Sequence, residues 1–400
     1  MPGTFFIAGA GIAGLTLALT LAKFGARVIV LERNAALSPF GAGLQISPNA
    51  RKILDGLGLS DALTATGLEP AGIDIYPFRR PEPLLTLELG PRMRERFGAP
   101  YTVMHRADLA EALYRACRRF ANIEVLFGTG NWTVAPGADG VSVAVEDAAG
   151  QTRIMTGSAF VGADGVHSRS RTTLVGGVKA QDRHSTAWRT LIPASAAGSV
   201  IKLDRVSVLF GPGFHLVCYP LPHRNEVNLV MFLPSASTGS GPSDFPNLPP
   251  THRSPRIDTL LAAAIAWTPW PLFTVSEKRW HQGKIGLIGD AAHAMFPFQA
   301  QGAAMAIEDA AVLGPLLTTH ADPETAFRQY ERLRQPRVRR VAHTSALNGA
   351  IFHLPGSLGF ARNLAMRMQG PRGQLRRLYW LFGYETPPLP NGLTTKSAAD

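Results

Sequence analysis

The glycine pattern near the N terminus limits this chain to a small set of folds. Gly9, Gly11 and Gly14 follow the apolar run at residues 5–8 and open a helix-forming stretch, so GxGxxG lies between a strand and a helix. A second apolar run ends at Glu32. A strand, a glycine turn, a helix and a second strand with a terminal acid form the βαβ unit that binds dinucleotides.

Each glycine has a separate physical task. Gly9 permits the tight turn, Gly11 lets the backbone approach a pyrophosphate, and Gly14 allows close packing of the helix. The helix N-terminus favours phosphate, and Glu32 would accept hydrogen bonds from a ribose. The pattern therefore predicts dinucleotide binding. A buried βαβ core without a ligand is the alternative.

Residues 5–22 are apolar enough to suggest a membrane span, but the glycine pattern accounts for them as a strand and a helix. No basic segment precedes them, so we expect no signal peptide, no integral membrane contact and a cytoplasmic location. Cys117 and Cys218 lie far apart and outside any metal-ligand spacing. Neither a metal site nor thiol redox chemistry is expected.

The formal net charge is +11, and many basic residues lie in the final third, at residues 332–340 and 367–380. No recognised nucleic-acid motif accompanies them, so no nucleic-acid partner is expected. Solvated helix faces are the favoured interpretation. Attraction of anionic substrates and nicotinamide phosphates, or contact with an acidic membrane surface, is the alternative.

The pattern beyond the first unit changes along the chain. Residues 105–120 have the apolar spacing of an amphipathic helix, and residues 73–100 suggest strands outside the nucleotide fold. Several strand-like runs at residues 185–234 predict an antiparallel sheet with a hairpin turn at residues 211–213. Residues 235–256 are predicted to be a surface loop, and the chain ends in helices.

Two further motifs decide which dinucleotide is bound. Asp164 and Gly165 follow an apolar strand in AFVGADGVHSRSR, and Gly289 and Asp290 follow another in GLIGDAAHAM, ahead of a helix-forming stretch. Together with the glycine pattern, they resemble the group A flavoprotein aromatic hydroxylases. These are single-chain FAD monooxygenases that include salicylate, 3-hydroxybenzoate and 6-hydroxynicotinate hydroxylases. The resemblance covers nearly the whole chain, and it indicates a retained FAD because no second GxGxxG unit is present.

The resemblance implies an α/β fold like that of p-hydroxybenzoate hydroxylase. A Rossmann-like FAD-binding fold would be combined with a β-rich substrate domain and C-terminal helices. The expected division is a discontinuous FAD-binding domain at residues 1–72, 101–184 and 275–345, an antiparallel-sheet substrate domain at 73–100 and 185–274, and a helical segment and tail at 346–400.

The resemblance also assigns cofactor contacts. Arg106 would reach the pyrophosphate or ribityl region, Asp164 would support FAD and transient NADH or NADPH, and Asp290 would bind a ribityl hydroxyl. Ser170 occupies a position where the family usually has an apolar residue. This departure weakens the case for a nicotinamide-binding path. Taken singly, either aspartate would more often be a capping carboxylate. The expected cofactor-binding residues are Gly9, Gly11, Ala13, Gly14, Glu32, Arg33, Gly43, Arg106, Asp164, Asp290, Gly302 and Ala303.

A helix beginning near Gly302 and Ala303 would stabilise negative charge on a reduced flavin. Hydroxylation through a flavin C4a-hydroperoxide needs O2, exclusion of water and an electron-rich ring. Strand alternation in FHLVCYPL places His215 and Tyr219 on one face, which suits deprotonation of a phenol. In the 6-hydroxynicotinate and 3-hydroxybenzoate enzymes, a His and a Tyr at this spacing line the substrate pocket. A satisfied strand histidine beside a packed tyrosine is the alternative.

Other side chains are candidates for substrate contact. Arg189 suits a substrate carboxylate, because a guanidinium binds one bidentately, and a surface ion pair is the equal alternative. Gln45 is expected to face the substrate ring from the flavin side. Pro297 is expected either to form a small apolar wall at the front of the flavin or only to shape the turn into the helix.

The sequence therefore predicts an NADH- or NADPH-dependent FAD monooxygenase. Its substrate would be a phenolic or N-heteroaromatic molecule, with a carboxylated one favoured, and decarboxylation is left open. A flavin epoxidase, halogenase or oxidase is one alternative, although the WxWxIP signature of halogenases is absent. A non-catalytic binding protein is another, and intact Glu32, Asp164 and Asp290 count against it. A homodimer is expected from the resemblance alone.

Overall fold

The structure, a computed structural model, describes residues 3–38, 41–146, 150–235 and 245–386. The strands in those ranges are β1 (Thr4–Ala8), β2 (Arg27–Glu32), β3 (Gly43–Ile46), β4 (Gly72–Pro77), β5 (Leu85–Glu88), β6 (Thr102–His105), β7 (Ile123–Phe127), β8 (Trp132–Pro136), β9 (Val141–Glu146), β10 (Thr152–Gly157), β11 (Ala159–Gly162), β12 (Gln181–Pro193), β13 (Arg205–Gly211), β14 (Phe214–Leu221), β15 (Glu226–Pro234), β16 (Thr268–Thr274), β17 (His281–Gln282) and β18 (Ile285–Leu287).

The helices alternate with the strands early in the chain and dominate its end. They are α1 (Ile12–Lys23), α2 (Pro48–Gly56), α3 (Ser60–Thr66), α4 (Gly90–Phe97), α5 (Arg106–Cys117), α6 (Ala194–Ala197), α7 (Pro255–Ala262), α8 (Asp290–His293), α9 (Gly302–Thr319), α10 (Pro323–Phe352), α11 (Gly356–Arg376) and α12 (Tyr379–Phe382).

The predicted βαβ unit forms the centre of a parallel sheet. Within the described ranges its strand order is β17-β18-β11-β1-β2-β7, and every pair except β17 with β18 is parallel. Helix α1 is buried along almost its whole length, because it lies between this sheet and the buried helix α9. The approach is close at Gly314 of α9, where a Cβ would lie 2.6 Å from Thr20 Cγ2. The stretch that resembled a membrane span is therefore core.

A larger sheet lies beside it, with strand order β16-β12-β15-β14-β13-β4-β5 in the described residues. The hairpin between β13 and β14 turns at Pro212 and Gly213, as expected, and Gly213 has a φ of 72°. The sheet is antiparallel except at one pair, because β4 runs parallel to β13. Its first long strand begins at Gln181, four residues before the expected start at residue 185.

Two segments differ from the sequence-based expectation. Residues 73–100 are not only strands, because Gly90–Phe97 forms helix α4, which buries Met93 and Phe97 in the core of the parallel-sheet unit. Residues 235–256, expected to be a loop, contain a short 3-10 turn at Pro250–His252 and the start of α7. Residues 236–244 of that loop lie outside the described residues.

The chain ends in helices, as predicted, but α10 runs without a break through the expected boundary between residues 345 and 346. The final part of the tail, residues 387–400, lies outside the described residues. In the part of the chain that the structure describes, no helix combines the length and the apolar character needed to cross a membrane.

Candidate active site

The sequence motifs meet because their strands are neighbours in one parallel register. Ala163 N donates to Ala8 O at 2.8 Å, and Ile288 N donates to Gly162 O at 3.0 Å. The carboxyl ends of β1, β11 and β18 therefore lie side by side, and this edge is where open parallel sheets bind ligands. The glycine turn, the Asp164 segment and the Asp290 segment form one surface.

The glycine turn has the geometry that a phosphate group requires. A Cβ at Gly14 would lie 1.9 Å from Gly9 O, and one at Gly9 would lie 2.6 Å from Ala163 O, so both positions need glycine. By contrast, a Cβ at Gly11 would meet nothing within 4 Å. The first turn of α1 has no acidic residue and no side-chain cap. Its free N–H groups face open space, which fits a pyrophosphate.

The acidic residues of the motifs have different surroundings. Glu32 Oε2 accepts a hydrogen bond from Ala10 N at 2.8 Å and so ties the end of β2 to the glycine turn. Asp164 accepts from Ser168 Oγ at 2.5 Å and from Ser170 N at 2.9 Å, which is the capping arrangement left open by the sequence. Asp290 is exposed and has no hydrogen bond or ion pair within the described ranges, so its carboxylate is available to a ligand.

Helix α9 presents a second uncapped N-terminus next to Asp290. It begins at Gly302, has no acid in its first turn, and a Cβ at Gly302 would meet nothing within 4 Å. A Cβ at Gly289 would lie 3.1 Å from the Cβ atoms of both Ala13 and Ala306, so the Asp290 segment packs between α1 and α9. Arg33 and Arg106 are exposed near this surface, and Arg106 N donates to Ala42 O.

A buried ionic cluster beneath α9 holds these parts in place. Arg334 Nη1 binds Glu308 Oε2 at 2.6 Å, and Arg334 Nε binds Asp309 Oδ1 at 2.8 Å, with all three side chains fully buried. Asp309 Oδ2 also accepts from Gly289 N at 3.0 Å and contacts His293 Nε2 at 2.5 Å. Burial alone would raise the pKa of Asp309, but the charges of His293 and Arg334 hold that pKa below its usual range.

The large sheet supplies the opposite wall. His215, Val217 and Tyr219 share one face of β14, as the alternation predicts, and His215 and Tyr219 are both buried. On that face, the ring of His215 lies 5.3 Å from that of Phe298, and Val217, Phe296 and Phe298 pack against the same buried cluster. Phe296 and Phe298 flank Pro297 just ahead of α9. The strand face and the start of α9 are therefore parts of one site.

His215 lies in an aromatic cage. Its ring stacks on Phe232 with centroids 4.3 Å apart and meets the edges of Phe298 and Phe352. Its Nδ1 lies 2.7 Å from Nε2 of His353, at the C-terminal end of α10. Burial, followed by the proximity of His353, lowers the pKa of His215 well below its ordinary value, so the ring is neutral at pH 7.

Tyr219 marks the other end of the same face. A Cβ at Gly43 would lie 2.5 Å from Tyr219 Cε2, so glycine lets β3 approach the ring, and Gly43 N donates to Asn228 Oδ1 at 2.7 Å. Gln45, also on β3, accepts a hydrogen bond from Tyr101 Oη at 2.5 Å. The pKa of Tyr219 is raised by burial, so it stays a neutral hydrogen-bonding group.

Arg189 is a half-buried cation with a buried Nε and no carboxylate counter-ion among the described residues. Its Nε has no hydrogen-bond partner, and no carboxylate of the described residues forms an ion pair with it. Its Cζ lies 5.2 Å from the ring centroid of Trp270. Burial lowers the pKa of Arg189, and the nearby charge of Arg106 lowers it further. An unpaired, poorly hydrated guanidinium is the group expected where an anion binds.

Sequence reasoning missed three residues of this site. His353 contacts His215, Asn228 contacts Gly43, and Tyr101 contacts Gln45. No local motif marks them, because each reaches the site through tertiary packing. Of the three, Asn228 alone had a signal in the sequence, because aligning strand β14 with β15 pairs Asn228 with Tyr219.

Comparison with known proteins agrees with this geometry. A family model described as "FAD binding domain" matches residues 4–345. This chain belongs to that family, and it is an FAD-dependent monooxygenase. Its cofactor is FAD, and the family uses NADH or NADPH and O2 as co-substrates.

Several relatives are named for hydroxylated aromatic acids as substrates. The 3-hydroxybenzoate 6-hydroxylase 1 of Aquipseudomonas alcaligenes is 33% identical, over 96% of this chain and 99% of its own. The 3-amino-4-hydroxybenzoate 2-monooxygenase of Streptomyces cremeus is 35% identical, over 96% of each chain. The crystal structure of Klebsiella pneumoniae HpxO with FAD and uric acid has the same fold, with a TM-score of 0.81, 24% identity and coverage of 95% of this chain and 96% of HpxO.

The buried cluster generates a prediction. Arg334→Gln removes the buried cation that pairs with Asp309 and, beside Arg337, with Glu308, which should destabilise the protein by about 3 kcal/mol, because buried carboxylate charge loses part of its compensation. Urea unfolding measures this change. Arg328→Gln, on the same helix but in an exposed pair with Glu324, should change stability by less than about 0.5 kcal/mol. Equal stability of the two variants would contradict a supporting role for the cluster.

Proposed function

We propose that this enzyme hydroxylates the ring of a phenolic or hydroxylated N-heteroaromatic carboxylic acid. The observation that carries the proposal is the pairing, on one buried sheet face, of a neutral imidazole at His215 with an unpaired guanidinium at Arg189. A neutral base suits a phenol, and an unpaired, partly desolvated cation suits a carboxylate.

The strand register supports the placing of Arg189 on the same sheet face as His215 and Tyr219. Arg189 pairs with Val230 and Val230 with Val217, so Arg189 lies two strands across from the middle of the run between His215 and Tyr219. The Cα atoms of His215 and Tyr219 are then about 13 Å apart, from four residues at 3.3 Å each. With side chains extending inward, this frame suits a single substituted ring.

In this proposal FAD lies between the glycine turn and the start of α9. Its phosphates would meet the N–H groups of Gly11 and Ala13, Asp290 would accept a ribityl hydroxyl, and the N-terminus of α9 at Gly302 and Ala303 would face the flavin ring. The remaining assignments, Gly9, Gly14, Glu32, Arg33, Gly43, Arg106 and Asp164, are kept as proposed cofactor contacts. When bound, FAD reduced by NADH or NADPH would activate O2, which supplies the oxygen atom that the ring receives.

In this proposal, side chains of the protein orient the substrate, remove its proton and exclude water. Arg189 orients the substrate carboxylate, His215 takes the phenolic proton and makes the ring electron-rich, and Tyr219 donates a hydrogen bond. Gln45 and Pro297 border the ring from the flavin side, and the phenylalanines on either side of Pro297 exclude water.

A substrate panel tests the function. The FAD-loaded enzyme should oxidise NADH or NADPH much faster with one member of a panel of hydroxybenzoates, aminohydroxybenzoates and hydroxynicotinates, and yield its hydroxylated product. The matching phenol without a carboxylate should have a KM about 30-fold higher, from loss of one charge-assisted hydrogen-bond pair. Arg189→Gln should remove that difference, whereas Arg92→Gln, an exposed change on α4, should keep it. No response to any member would refute the proposal.

The proposed ribityl contact is tested by Asp290→Ala. Loss of a charged acceptor should weaken FAD binding by about 10- to 100-fold. Fluorescence titration of the apoprotein with FAD measures this directly. Asp61→Ala, an exposed change at the start of α3, is the matched control and should bind FAD like the parent protein. If Asp290→Ala also binds FAD normally, the contact assigned to Asp290 is wrong.

We also propose a cytoplasmic homodimer. Two buried free thiols, Cys117 and Cys218, suit a reducing compartment. Exposed apolar side chains on α11, including Phe360 at 69% and Met368 at 80% exposure, suit a contact with a second copy. Sedimentation velocity at micromolar concentration should give a dimer, and a monomer would refute this assembly.

A further inference from the structure

We propose that His353 is a positioning residue for His215 and the exit for the substrate's proton, so that two histidines form a relay from the sheet face to the surface. This inference rests on the proposed function, in which His215 takes a proton from a phenol. The observation behind it is the 2.7 Å contact between His215 Nδ1 and His353 Nε2.

The cage around His215 creates the need for a partner. The side chains around its ring are Phe232, Phe298 and Phe352, and its relative exposure is 1%. An imidazolium in such surroundings is strongly disfavoured, because it has lost water and gained no counter-ion. A proton taken at one nitrogen must therefore leave from the other.

The contact determines which nitrogen faces the substrate. If Nδ1 of His215 donates to Nε2 of His353, then Nε2 of His215 carries the lone pair, and it has no hydrogen bond within the described part of the chain. His353 then carries its own proton on Nδ1. In this tautomer of the pair, His215 is a base towards the sheet face.

The proton movements balance. The phenol O–H bond breaks and its proton goes to His215 Nε2, while the Nδ1–H of His215 passes to His353 Nε2 and His353 releases its Nδ1 proton to water. The substrate leaves this step as a phenolate, and the solvent has gained one proton. No oxidant or reductant takes part.

The surroundings of His353 favour onward release. It is half-buried at the end of α10, and its carbonyl accepts from Gly213 N at 3.0 Å, which fixes α10 to the β13–β14 hairpin. Burial, then the nearby charge of Arg362, lowers the pKa of His353 to about 4. His353 therefore carries a second ring proton only in passing.

Charged and titratable groups around the pair are few. From α11, Arg362 Nη1 donates to Phe352 O at 2.6 Å, and its cation faces His353. The neighbours from β13, β15, α10 and the segment ahead of α9 are Phe210, Phe232, Phe352 and Phe298. Within the described ranges, the two histidines and Arg362 are thus the titratable and charged groups that determine how the pair is protonated.

The test compares His353→Gln, His353→Ala and His343→Gln in the FAD-loaded enzyme, with the panel substrate that gives the highest coupled turnover. A glutamine oxygen can accept the Nδ1–H of His215 but cannot carry the proton onward. His353→Gln should keep KM within about twofold and lose about tenfold in kcat for product, since proton transfer by a positioned group contributes at least that much. His343→Gln, an exposed histidine on α10, should match the parent.

Two readouts separate a relay from packing. Added imidazole should partly restore product formation in His353→Ala, and a pH-indicator dye should show slower proton release on substrate binding in both His353 variants. If His353→Gln has the parent's kcat, pH profile and proton-release rate, the relay is refuted. If His353→Ala loses its flavin, the glutamine variant alone decides.

His215→Ala distinguishes failure of the relay from failure of the proposed function. That variant should retain FAD and lose at least as much hydroxylation as either His353 variant. Unchanged coupled turnover in His215→Ala would overturn the assignment of the base itself. A large loss in His215→Ala together with normal His353 variants would overturn only the relay.

Discussion

The guanidinium of Arg334, held between Glu308 and Asp309, joins the parts of the molecule that must meet around the flavin. Asp309 also binds the backbone of Gly289 and the ring of His293, so the segment that carries Asp290 is fixed to α9 and α10 at once. Glu308 accepts from Asn49 at the start of α2. Because buried charges tolerate little misplacement, this cluster gives the N-terminus of α9 one position relative to the glycine turn.

The features predicted best from the sequence were those that depend on one short stretch of chain or on the direction of neighbouring strands. The unit ending at Glu32 has its glycines, apolar runs and acid within one short stretch, and the Asp164 and Asp290 segments each follow an apolar strand, so parallel strands bring them together. Tertiary context decided the rest. Nothing local marks α4 as a helix of the core, β4 as the parallel partner of β13, or His353 as the neighbour of a residue 138 positions away.

The site separates two tasks by their electrostatics. At one end a half-buried guanidinium has a buried Nε and no counter-ion among the described residues, which favours an anion of the substrate over water. At the other end two imidazoles are held neutral by burial, so neither carries a second ring proton at pH 7. A phenolic acid satisfies both ends, because its carboxylate supplies the missing charge and its hydroxyl supplies a proton to the neutral pair.

The central claim is that the pocket makes its substrate reactive by removing a phenolic proton through His215. The most direct measurement is the amount of hydroxylated product formed per NADH or NADPH consumed by the FAD-loaded enzyme, for the phenolic acid and for its O-methyl ether. The account predicts that the phenol is hydroxylated, whereas the ether binds and stimulates nicotinamide oxidation without product. Hydroxylation of the ether as efficiently as the phenol would contradict the account.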